Sequence, residues 1–116
     1  MHVTDEYIES VRDWLSFLGD LRIRKMFGGA MLFHHDLPFA IIADDVLYLK
    51  TDDRNRPDFE SAGMPLFQPF PDKPMKMPYS EIPAEVLESR DELTAWVEKA
   101  LDAACRDTGK KKRKTT

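Results

Sequence analysis

The run Lys25-Met-Phe-Gly-Gly-Ala-Met-Leu-Phe-His-His-Asp-Leu-Pro-Phe-Ala-Ile-Ile-Ala-Asp-Asp-Val-Leu-Tyr-Leu-Lys50 decides the fold, because it holds the densest apolar material of a 116-residue chain. Met31 with Phe33, the segment Phe39-Ala-Ile-Ile-Ala43 and the segment Val46-Leu-Tyr-Leu49 carry the aliphatic, aromatic and β-branched side chains that favour strands. Asp44-Asp45 and Asp36-Leu37-Pro38 supply turn chemistry between them. Connections this short allow only antiparallel neighbours, since a parallel pair needs a crossover of a dozen or more residues. A three-stranded meander is therefore expected at the centre.

Working outward toward the amino terminus, Leu21-Arg-Ile-Arg-Lys-Met-Phe27 alternates apolar and basic positions and runs into Gly28-Gly29. This predicts a bulge or tight kink where the chain enters the first strand. A phosphate-binding loop is disfavoured, because such loops need more glycines at fixed spacing leading into a helix. Before it, Thr4 is placed to cap a helix whose first turn holds Asp5 and Glu6, and Val3 can staple onto Ile8. Ile8, Val11, Leu15 and Leu18 recur at helical spacing up to Gly19, the expected left-handed stop.

Toward the carboxy terminus, Arg54 to Ala62 predicts a short helix with Pro57 in its first turn and Gly63 after it. Pro65 to Phe70 and Met75 to Tyr79 read as two strands around a turn at Pro71 to Pro74, and their prolines suit sheet edges. Ile82 to Leu87 predicts a helical turn, and Ser89-Arg-Asp-Glu92 is a capping box for a last helix bearing Leu93, Trp96, Val97, Ala100, Leu101 and Ala104. The expected fold class is α+β: two layers, an antiparallel five-stranded sheet in the order α-β-β-β-α-β-β-α, with the terminal helices packed on one face. Residues 1–107 form this domain and 108–116 a disordered basic tail.

The order and spacing of three motifs carry a family resemblance: Arg24-Lys25-Met26-Phe27-Gly28-Gly29, Phe39-Ala40-Ile41-Ile42-Ala43-Asp44 and Leu47-Tyr48-Leu49-Lys50-Thr51-Asp52. Asn55-Arg56, Phe59-Glu60, Ala62-Gly63, Met77-Pro78-Tyr79, Ile82-Pro83, Val86-Leu87 and Trp96 continue it. From about Arg22 to Ala104 the chain resembles the amino-terminal domain of the TfoX/Sxy family of bacterial competence regulators. The resemblance implies a two-layer fold similar to type III secretion chaperones and a regulatory, non-enzymatic role. In that family, members with a second, carboxy-terminal domain act in competence gene expression with a cyclic-AMP-responsive regulator; this chain is expected to be a stand-alone amino-terminal domain. Ala30-Met31 and His35-Asp36-Leu37-Pro38 depart from the small pair and the Asp-Gly turn usual there.

Composition narrows the function classes. With 42% hydrophobic and 33% charged residues the chain matches ordinary globular domains, and no apolar run approaches a membrane span. A single cysteine, Cys105, excludes an internal disulfide and fits a cytoplasmic protein. Of 17 basic residues five fall in Lys110, Lys111, Lys112, Arg113 and Lys114, leaving 12 against all 21 acidic residues before them. An acidic body argues against a broad phosphate-binding face, whereas a basic tail can add weak, salt-sensitive nucleic-acid affinity.

No catalytic, cofactor or metal constellation emerges. His34-His35-Asp36 has ligand chemistry, but neighbouring strand residues point to opposite sides, so a strand end and turn explain them better. Cys105 lacks a base at a helpful spacing. Ser10, Ser61, Ser80 and Ser89 fit caps or turns, and no nucleophile-elbow pattern occurs. Binding is therefore the expected work, through one of two margins. Arg22, Arg24 and Lys25 can face an acidic partner or pair with surface carboxylates, as can Lys50, Arg54 and Arg56. Phe67, Phe70, Met75, Met77 and Tyr79 lie among prolines on a presumed rim and either cover the core or dock another protein chain or a second copy. Monomer and homodimer both stay open.

Overall fold

His35-Asp36 and Asp44-Asp45 build the sheet. All four residues have positive φ, 52° and 65° for the first pair and 53° and 56° for the second, and each pair alone separates two antiparallel strands. Two left-handed residues in a two-residue loop make the turn whose twist matches that of the flanking strands. In the computed structural model, which describes residues 3–26, 28–70 and 72–108, the chain forms α1 (Asp5–Trp14), β1 (Leu21–Met26), β2 (Gly29–His34), β3 (Leu37–Ala43), β4 (Val46–Lys50), α2 (Arg56–Ser61), β5 (Leu66–Phe67), β6 (Met77–Glu81), α3 (Ala84–Leu87) and α4 (Arg90–Thr108). The tail from residue 109 lies outside the described residues, as do Phe27 and Pro71.

The fold is α+β with an open antiparallel sheet, but it has six strands and not the expected five, in the order β1-β2-β3-β4-β6-β5. The additional strand is β1. Its six residues pair without interruption from Leu21 opposite His34 to Met26 opposite Gly29. Gly28, with φ 80°, accordingly lies in a hairpin connection and not in a kink, and Gly29 opens β2. A Cβ added at Gly29 would lie 2.6 Å from the Ile42 carbonyl oxygen of β3, so only glycine lets β2 start that close to its neighbour. The second correction concerns β6. It lies inside the sheet between β4 and β5, and the two-residue β5 is the edge. Pro78 is tolerated there because its nitrogen and carbonyl both face Thr51, one residue past the end of β4: the carbonyl accepts the Thr51 N–H at 2.8 Å, and the donor that proline lacks falls at the end of the ladder.

Residues opposite each other in an antiparallel register share a face. One face carries Ile23, Leu32, Ala40 and Leu49 in one row and Ala30, Ile42 and Leu47 in the next. These residues form one buried cluster with Ile8, Val11 and Leu15 at the amino terminus and Leu93, Val97, Ala100 and Ala104 of α4, Ile23 from its half-buried margin. Both terminal helices thus cover the same face. A register shift at Leu32/Phe33 adds Phe39, fully buried, to that cluster.

Helix α1 starts as the sequence predicts: the Thr4 hydroxyl accepts the Tyr7 N–H at 3.1 Å. It ends at Trp14 and not at Gly19, whose φ is not positive. Leu15 to Leu18 continue as turns, with Leu15 fully buried and Phe17 and Leu18 packed against the core. Asp45, in the β3–β4 turn, accepts both the Thr4 N–H at 2.8 Å and the Thr4 hydroxyl at 2.9 Å, and so pins the start of α1 to the sheet. At the exit of β4 the buried Asn55 side chain accepts the Asp52 N–H at 2.7 Å and donates to the Lys50 carbonyl at 2.9 Å, satisfying its polar atoms while turning the chain into α2. Asp52 in turn pairs with Arg106 of α4. Among the described residues, no helix is long and apolar enough to cross a membrane.

Candidate functional site

The helices leave the other face of the sheet to its own side chains. The register puts Arg24, Met31, Ile41, Tyr48 and Glu81 in a row across it, flanked by Arg22 with Phe33 and by Lys50 with Tyr79. Ile41 is nevertheless only 8% exposed and Ala43 1%. Both line an apolar pocket of about 150 Å³ together with Met26, Met31, Phe67, Pro69 and Met77. Its walls come from β1, β2 and β3 on one side and from β5, β6 and the segment after β5 on the other, so the two margins of the sheet meet over a concave face. Thioether walls are adaptable, because methionine is unbranched and polarisable.

Of the expected rim residues, Phe67 and Met77 are half-buried walls of this pocket, and the Phe67 ring lies 4.5 Å from that of Tyr48. Phe70 and Met75 lie beyond it in the β5–β6 connection, 48% and 54% exposed, with the Lys73 ammonium 5.6 Å from the Phe70 ring centre. Tyr79 differs. It is 6% exposed, its hydroxyl lies 4.0 Å from Met31 Sδ, and the Lys50 ammonium stands 5.3 Å from its ring centre. It supports the face from within and offers nothing to dock against. Burial pushes the Tyr79 hydroxyl up in pKa, with the charge of Asp107 adding to it; Tyr48 is raised by burial and then by Glu81 and Asp44.

The basic candidates separate by face. Arg22 and Arg24 are exposed on the pocket side, Arg22 held by Asp36 at 2.5 Å. Lys25 points to the other side and bonds Asp5 of α1 at 2.7 Å. Lys50 is buried and donates to Asp107 at 3.0 Å, and Arg56 pairs with Asp53 at 3.1 Å. Arg54, Lys99 and Arg106 line a second hollow of about 170 Å³ with Asn55 and Asp102, but Lys99 and Arg106 are bound to Asp58 and Asp52. Lys110, Lys111, Lys112, Arg113 and Lys114 lie outside the described residues.

His34 and His35 depart from the strand rule, because His35 occupies the left-handed turn: the two ring centres are 4.2 Å apart, and both imidazoles turn to Asp20, His34 to its carbonyl at 2.8 Å and His35 to its carboxylate at 3.1 Å. Among the described residues no group of three or more His, Cys, Asp or Glu is placed to hold a metal ion. Sequence reasoning missed Met26, Met31, Ile41 and Pro69 as site residues. The alternation of Met31 and Ile41 with Leu32 and Ile42 was the available signal, but it does not say which face the helices leave open.

No curated protein matches the chain. The family model described as the TfoX N-terminal domain matches residues 13–104, which run from the end of α1 through the sheet and most of α4, and the chain belongs to that family.

Proposed function

We propose that this is a non-enzymatic regulatory module of the competence-regulator type, acting in the cytoplasm by binding another protein through the concave face of its sheet. The observation that carries this reading is the apolar pocket between Met26, Met31, Phe67 and Met77, with the exposed Phe70 and Met75 in the connection between its Pro69 and Met77 walls. Large exposed apolar side chains beside an adaptable apolar hollow are what an interaction surface offers. Family membership supports a regulatory role for the module. The test is affinity capture by the full chain, by a Phe70→Asp/Met75→Asp variant and by a chain lacking Lys110 to Thr116. A partner recovered by the first and third and lost by the second is expected; capture indifferent to the double substitution overturns the reading.

A second reading rests on the five consecutive cations of Lys110 to Lys114 behind an acidic body. It makes the tail a sequence-indifferent nucleic-acid contact, which requires binding that falls steeply with salt and disappears when the tail is deleted.

A further inference from the structure

Among the described residues, Arg24 is the concave-face cation without a carboxylate partner. Arg22 is held by Asp36 and Lys25 by Asp5, whereas among the described residues no carboxylate pairs with Arg24. It stands directly opposite Met31 and two residues from Met26, and both methionines line the pocket. Opposed Cβ atoms in an antiparallel pair are about 4.5–5.5 Å apart, so its exposed side chain is rooted beside a pocket wall, and its guanidinium carries a donor fork suited to a carboxylate. At the far side of the face Glu81 and Asp44 act on Tyr48. Negative charge on a bound chain is favoured toward β1 and opposed toward β4 and β6.

Resting on the reading of this face as an interaction surface, we propose that its occupant is an extended segment of a partner protein in which an apolar side chain is accompanied, two residues along on the side toward β1, by a carboxylate. The apolar group enters the pocket and a carboxylate pairs with Arg24. An apolar cavity of about 150 Å³ holds a benzene-sized group, which corresponds to one Leu, Met or Phe side chain. A second copy of this chain fits less well. Its exposed apolar groups, Phe70 and Met75, arrive with Lys73 and Lys76 against the single acid Asp72, and the Lys73 ammonium already lies over the Phe70 ring. Such a loop sets cations against Arg24.

Three synthetic heptapeptides with a central Phe flanked by Glu, Gln or Lys, titrated into the full chain at low salt and followed by amide NMR shifts, test the proposal. The Glu peptide should bind at least about tenfold more tightly than the Lys peptide, a gap of about 1.4 kcal/mol, with shifts at Arg24, Met31 and Met77. Arg24→Glu, an exposed substitution that leaves the core intact, should reverse the order. Equal binding of all three, or a Glu preference unchanged in R24E, overturns the acidic partner while leaving the face as an interaction surface. Binding of none at millimolar peptide overturns both. Self-association that Phe70→Asp abolishes assigns the face to a second copy and overturns the proposal as well.

Discussion

Replacing Asp52 with Asn should destabilise the protein in a way that depends on pH, and the size of the effect follows from the contacts at the end of β4. The Asp52 carboxylate accepts a bond from Arg106 Nε at 2.5 Å and one from the Arg54 N–H at 3.0 Å. Chiefly through Arg106, its pKa falls from 3.8 to about 2. That difference is worth at most about 2.5 kcal/mol. Because the two side chains remain 24% and 34% exposed, water screens part of it, and about 1–2 kcal/mol is expected at pH 7. A carboxylate with a depressed folded-state pKa stabilises the fold above its unfolded pKa and loses that contribution as pH falls through the folded one. The gap between wild type and D52N should therefore be constant from pH 7 to about 5, roughly halve by pH 3 and close toward pH 2. Urea midpoints measured across this range, with wild type, D52N, Arg106→Gln and the double variant, supply the test. Arg106→Gln should cost a similar amount, and the double variant little more than either single one. A gap that stays flat from pH 7 to pH 3, or additive single effects, would refute the assignment of the stabilisation to this pair.

Asp45→Ala removes both bonds to Thr4 and should cost about 2 kcal/mol, with the loss of amide protection concentrated in α1. The double change His35→Asn/Asp36→Gly gives the β2–β3 turn residues that tolerate left-handed backbone; about 0.5–1 kcal/mol of gain, reduced slightly by loss of the exposed Arg22–Asp36 and His35–Asp20 contacts, should appear as a rise of a few degrees in Tm. Lys50 is the buried partner of a pair whose carboxylate is mostly exposed. Asp107→Ala should therefore destabilise by about 1–3 kcal/mol, whereas Lys50→Met should be nearly neutral, and equal losses in denaturant titrations would contradict this.

The meander from Gly29 to Lys50 was legible because its apolar runs are long and its aspartates mark the turns. β1 was not, although its period of two was visible: an edge strand with Arg22, Arg24 and Lys25 among six residues resembles a charged connector, and only pairing with β2 distinguishes the two. The end of α1 was misplaced for a different reason. Phe17 and Leu18 keep contributing to the core from turns, so apolar periodicity outlasts the helical hydrogen bonds. The prolines near β6 pointed to an edge, but the ending of β4 at Lys50, which leaves the Pro78 nitrogen facing past the ladder and makes it tolerable inside the sheet, leaves no pattern in sequence. For the candidate site, Phe67 and Met77 were found and Met26 and Met31 were not, because a concave face made by two margins of one sheet depends on curvature that no local signal encodes.

The tight turns of the meander also set an order of events during synthesis. β2 to β4 are joined by two-residue loops and, with β1 just before them, can pair as soon as about fifty residues have left the ribosome, since short-range contacts close at low entropic cost. The helix that shields Leu32, Ile42, Leu47 and Leu49 begins only at Arg90. For some forty residues of translation a nascent sheet therefore has only α1 to cover its greasy side, which should make mutations that slow docking of α4 more costly for yield than for the stability of the finished protein.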